Sequence, residues 1–370
     1  MGTIKRTFAN NVLADGKIDA TDLSGTIPAS NIANASVTAV TALPSALGDA
    51  IESVATDPVS PSEGQLWYNT TIGVLKSYLL ASAAWAAGGN LGTTRSNMGS
   101  AGTQTAGLAF GGGPGAAPYF SAVTEKYNGS TWSPSGNMNT ARYVMASFGT
   151  QTAAVGAGGY RLAPPRFTTD TEKYDGSTWT SSGNLSAGRD VLAGAGTQTA
   201  GLAFGGEPGA GPGITTATEE FNGSTWSPGG NLNTARYALV GAGTQTAALA
   251  FMGALPTLTA ATESYDGTTW TSVNSLNTTR SSGAGAGIQT STIAFGGFIG
   301  PPSPKTGSTE LWNGTSWTTT TPMTTVRSGL GGAGTQTAGL GFGGDLVSGN
   351  TNATEEFTGA FLSTKKVTLT

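Results

Sequence analysis

The sequence contains no cysteine and no histidine. Without cysteine there is no disulfide, no thiol nucleophile and no thiolate metal site. Without histidine, Ser-His-Asp triads, imidazole general bases and the common zinc sites are excluded as well. Charge is also scarce. Of 370 residues 10% are charged, the formal net charge is −4, and the charges are scattered with no basic stripe to hold nucleic acid. No apolar run approaches the roughly 18 residues of a membrane-spanning helix. The opening MGTIKRTFANN lacks the apolar stretch of a secretory signal, and Arg6 stands where a myristoylation signal needs Ser or Thr. Long aliphatic side chains are few, whereas glycine accounts for 58 residues. Such a chain builds its core from many small strands in close contact. Neither catalytic residue, metal nor cofactor is expected, and neither nucleic acid nor membrane insertion.

What is present is a repeat. GTQTAGLAFGG begins at Gly102 and returns, with small changes, at Gly149, Gly196, Gly243, Gly287 and Gly334. Its glutamines, Gln104, Gln151, Gln198, Gln245, Gln289 and Gln336, are spaced by 47, 47, 47, 44 and 47 residues. An arginine opens each unit: Arg95, Arg142, Arg189, Arg236, Arg280 and Arg327. A Thr-Glu-x-aromatic string ends at Tyr127, Tyr174, Phe221, Tyr265, Trp312 and Phe357, and a Gly-containing turn leads to Trp132, Trp179, Trp226, Trp270 and Trp317, with Phe361 in that place in the last unit. In the run QTAGLAFGG the alternation puts Ala106, Leu108 and Phe110 on one face of a strand and Thr105, Gly107 and Ala109 on the other. One face is bulky, the other small, and neither is charged, as expected for a strand covered on both sides. The NGSTW and DGSTW turns carry the strongest short hairpin signal.

Arginine, Gly-Gly, tyrosine and tryptophan in this order resemble the kelch repeat over roughly residues 65–370. The resemblance implies an all-β fold, a β-propeller with one four-stranded blade per repeat; an open β-solenoid is the rival. Six units are complete. Trp85 lies 47 residues before Trp132, Tyr78 sits near the tyrosine position, and GQLWYNTTIGVLKSY reads as a hairpin. With KKVTLT at the C-terminus these segments are expected to make a seventh blade, and six blades are the alternative.

Residues 1–60 do not repeat and form an expected N-terminal attachment segment, with the propeller assigned to 61–370. Leu43, Leu47, Ile51 and Val54 recur at helical spacing and predict a short attachment helix starting at Pro44-Ser45. DGKI, then IPAS, then LPSALGDAIESV, then P-x-EGQLWYNTTIGVLKSY resemble the leading segments of bacteriophage tail-fibre and other virion appendage proteins. That resemblance implies location in a virion, other virion proteins as partners of residues 1–60, and a non-enzymatic role as tail fibre, head fibre or decoration. Self-association through the same segment is a further expectation. A carbohydrate-binding or carbohydrate-acting propeller is the alternative from another class.

The repeated glutamates Glu125, Glu172, Glu219, Glu263, Glu310 and Glu355 recur in every unit, so pairing with arginine or backbone is expected rather than a cation site. The repeated arginines are expected to tie adjacent blades, and the tryptophans to pack between them. One stretch differs every time, the loop between Gly-Gly and Thr-Glu. It carries Tyr119, Phe120, Tyr160, Arg161, Arg166, Phe167, Phe298 and Lys305. Aromatic and arginine side chains are the usual anchors of binding surfaces. These eight residues are the candidate ligand-binding set, for a host-surface glycan or receptor, or for a neighbouring virion protein.

Overall fold

A computed structural model describes residues 51–115, 119–209, 213–301 and 304–367. They are all-β, with no helix among the described residues. The chain divides into two compact units, the larger being Ala83–Gly359 and the smaller comprising residues up to Ser82 and from Ala360 onward. The boundary expected at residue 60 thus falls inside the smaller unit.

The larger unit has a β-propeller fold, and its described residues form six four-stranded antiparallel sheets. The first sheet runs Gly99–Thr103, Ala106–Phe110, Thr124–Tyr127, Trp132–Ser135 from axis to rim. Each inner strand neighbours the inner strand of the next blade, and the sixth neighbours the first. Glycine and alanine dominate here because the strands come so close: a Cβ on Gly241 would lie 2.4 Å from the Gly194 carbonyl oxygen of the preceding blade. The second strand is buried on both faces. Leu108 and Phe110 enter a cluster with Ala154, Tyr174 and Trp179 of the second blade, while Ala109 enters one with Leu340 and Phe342 of the sixth. Bulky faces therefore mesh with small ones.

The sixth blade settles how the ring closes. Its strands Gly331–Gly334, Ala338–Phe342 and Thr354–Thr358 are completed by Ala84–Ala87, so the outer strand comes from the N-terminal side. Trp85 therefore occupies the tryptophan position of the sixth blade, which corrects its assignment to a seventh and the assignment of Phe361 to that place. The hairpin Leu66–Asn69 and Val74–Ala81 instead pairs with Phe361–Lys366 and with Glu52–Val54 in the sheet of the smaller unit. The segments assigned to a seventh blade thus form a four-stranded sheet of their own in the smaller unit.

The attachment helix is corrected at its end. Leu43 and Leu47 lie outside the described residues, Ile51 is buried, and Glu52–Val54 is a strand parallel to Trp67–Asn69. Ladder partners outweigh a helix of about ten residues, which is marginal alone in water. The Val54 carbonyl also accepts from Thr70 N–H at 2.8 Å.

Candidate functional site: the loop face of the propeller

Most repeated side chains are consumed by the framework. Each repeat glutamine donates two hydrogen bonds from Nε2 to carbonyls of the preceding blade: Gln151 to Gly107 at 3.0 Å and Tyr127 at 2.6 Å, and Gln104 across the closure to Gly339 and Phe357. Tryptophan Nε1 donates to a threonine hydroxyl of the preceding blade in all six, from Trp85 to Thr309 at 3.1 Å through Trp317 to Thr262 at 3.1 Å. Each arginine faces the glutamate of its own blade, as Arg95 does Glu125 at 2.9 Å and Arg236 does Glu263 at 2.9 Å. The second carboxylate oxygen accepts a backbone N–H from the crossover that enters the blade, such as Gly92 on Glu125 at 2.6 Å. The arginine side chains thus brace single blades, which corrects their expected role; the glutamines tie blades together. Burial pulls these guanidiniums below their ordinary pKa, and the facing glutamates offset it.

Two residues after each arginine the chain turns left-handed. Asn97, Val144, Val191, Ala238, Ser282 and Gly329 have φ between 49° and 58°. The N–H of each donates to the carbonyl of the one before, and Asn97 closes the circuit on Gly329 at 2.6 Å. Six backbone hydrogen bonds thus form a ring at the end of the inner strands where the variable loops emerge. Beside it lies a central cavity of about 240 Å³, whose larger lining side chains include Met98, Met145, Phe148, Leu192, Leu239 and Leu330 among glycine and alanine of the inner strands, with Ser100 and Ser147 offering hydroxyls.

The candidate residues separate into two groups. Phe120 and Tyr160 stack with ring centroids 6.0 Å apart, and Tyr160 meets Phe167 edge-on at 5.3 Å. Arg166 donates to the Tyr160 hydroxyl at 3.0 Å, and Tyr119 beside Phe120 is 65% exposed. Arg161 is held by Asp170 at 2.6 Å and by the Pro165 carbonyl. These six belong to the loops of the first two blades. Phe298 and Lys305 are apart from them, bridged to each other in the fifth blade. Lys305 is bound to Asp345 and to the Leu346 carbonyl of the sixth, so it serves as a loop tie.

The sequence reading missed Tyr143, which packs on Phe120 at 5.4 Å and on Tyr160 at 5.8 Å. It also missed Asp190, 7% exposed, which lies opposite Glu207 in a two-residue ladder. Both follow a repeat arginine, a position that reads Ser96, Tyr143, Asp190, Tyr237, Ser281 and Ser328 around the ring. That variation was the available signal. Burial, then the charge of Glu207, pushes Asp190 up to about 7. Burial, then Tyr160 and Asp190, raises Tyr143. Phe167 lies against the third blade, where a Cβ on Gly209 would come within 2.5 Å of it.

No protein-family model matches the sequence, and no curated protein matches it. Among solved structures, that of YjhT is similar with a TM-score of 0.61 at 14% identity, covering 74% of this chain and 99% of that one. This likeness shows the β-propeller fold. No described helix is long and apolar enough to cross a membrane.

Proposed function

We propose that this chain is a kelch-like structural protein of a bacteriophage particle, a tail fibre, head fibre or surface decoration. In this reading residues 1–60 attach it to neighbouring virion proteins, and the propeller presents its loop face to a host-surface glycan or receptor, or to an adjacent virion protein. The order of motifs from DGKI to GQLWYNTTIGVLKSY supports the virion assignment. The observation that carries the adhesive role is the aromatic and arginine cluster of the first two blades. It stands on the face where the loops differ, while the copied glutamines, tryptophans and arginine–glutamate pairs are spent on the framework. A carbohydrate-binding propeller outside a virion would use the same surface. A carbohydrate-acting one has less support, since the cavity side chains are apolar or hydroxylic.

The test is replacement of Tyr119, Tyr160 and Phe167 by Ala in particles, with binding to host cells as the readout. The expected result is at least a tenfold loss of adsorption at unchanged particle yield. Full adsorption by the triple variant removes the adhesive role. Absence of the chain from purified particles by mass spectrometry removes the virion assignment.

A further inference from the structure

Asp190 is the odd member of a sixfold set. At its position three blades carry serine and two carry tyrosine, and only the third blade carries an acid. Its Oδ1 is buried and has no hydrogen-bond partner among the described residues. A serine would fill the place without that cost, as Ser96, Ser281 and Ser328 do in buried surroundings. A buried polar atom left unpaired is costly, and such a cost persists where the group has another task. Glu207 lies directly opposite on the paired strand. Val191 N–H, next to Asp190, donates to the Val144 carbonyl, next to Tyr143, at 2.8 Å, and Phe167 lies against Gly209, two residues beyond Glu207, so the acid pair borders the aromatic cluster.

The geometry points to a saccharide subsite on the loop face, in which Asp190 and Glu207 accept hydroxyl hydrogens of a neutral sugar whose apolar ring face lies on the neighbouring aromatic rings. The inference rests on the adhesive reading above and names the ligand class for it. Three other ligand classes fit less well. An anionic sugar meets two carboxyl groups. A quaternary ammonium needs rings that converge on a box, whereas here they pack on one another, Tyr160 against Phe167 at 5.3 Å. A calcium ion needs six to eight oxygens, and no cluster of three acidic side chains exists among the described residues.

The experiment uses the full chain on immobilised glycans, neutral, sialylated and sulfated, with and without calcium. Asp190→Ser, Asp190→Asn and Tyr160→Ala are compared by thermal unfolding and binding. Capture of neutral glycans is expected, reduced at least tenfold in both Asp190 variants, with melting temperature equal or higher. Binding unchanged by the Asp190 variants, binding only with calcium, or preference for acidic glycans each overturns the subsite. Host-cell adsorption retained by Asp190→Ser but lost with the triple aromatic variant also overturns it, while leaving the adhesive reading intact. Loss of neither removes both.

Discussion

The two faces of a blade edge obey different rules. At the framework, six copies of Gln, Trp, Arg and Glu make the same bonds six times, and hardly any side chain is left over. On the loop face the same six positions hold different residues, and they cluster in the first three blades. Repetition is stable here because each blade donates side-chain bonds to strand carbonyls and threonine hydroxyls of its neighbour. A substitution at a glutamine or tryptophan therefore touches two blades at once and one at an arginine–glutamate pair undoes a single blade, while one on the loop face leaves these bonds in place.

The comparison is broken most severely at the buried ion pairs. Arg236→Leu leaves Glu263 buried without its partner, a loss expected at about 3–5 kcal/mol. Gln198→Leu removes two hydrogen bonds, to the Ala154 and Tyr174 carbonyls, at about 2 kcal/mol. Denaturant unfolding of both variants should rank them in this order; the reverse would mean that the inter-blade ties dominate.

Asp190→Ser sharpens the comparison in the opposite direction. Asp190 holds its proton in the fold up to about pH 7, well above the ordinary 3.8. Between those values the folded chain binds more protons than the unfolded one, so its contribution to stability is present at pH 4 and lost as pH rises through 7. Asp190→Ser should remove that slope and raise stability at pH 8 by about 1–2 kcal/mol, after allowance for solvent screening. Equal pH dependence of the two proteins in paired melts would place the group in an ordinary environment.

The smallest effect belongs to the backbone ring. Val191 is β-branched and sits at φ 49°, whereas the sixth blade uses Gly329 at the equivalent point. Val191→Gly relieves a left-handed strain but loses backbone entropy, for a net gain of about 0.5–1 kcal/mol. A loss on chemical denaturation would mean that the valine side chain does more than occupy space.

Much of this was legible in the residues. Copying at 44 to 47 residues announced equivalent sheets, and the bulky and small alternation in QTAGLAFGG announced burial on both faces, because strand periodicity is local. The loop cluster was partly legible: Tyr160 and Phe167 stood out as aromatic residues in uncopied loops. Tyr143 and Asp190 did not, since each follows a copied arginine and looks like part of the repeat. Lys305 looked available, yet its ammonium is spent on Asp345, 40 residues away.

Sequence alone determined the unit and its sheet, products of short-range pattern and chemistry, and left backbone and arginine both open as partners of the repeated glutamates. Tertiary structure decided what depends on where distant segments meet. Ala84–Ala87 rather than a C-terminal strand completes the sixth blade, because an open edge at Thr354–Thr358 takes the strand that reaches it. The glutamines became inter-blade ties because their amides arrive beside carbonyls 24 and 44 residues earlier in the chain. The circle of six left-handed residues exists only once the ring has closed, for its last hydrogen bond joins Asn97 to Gly329.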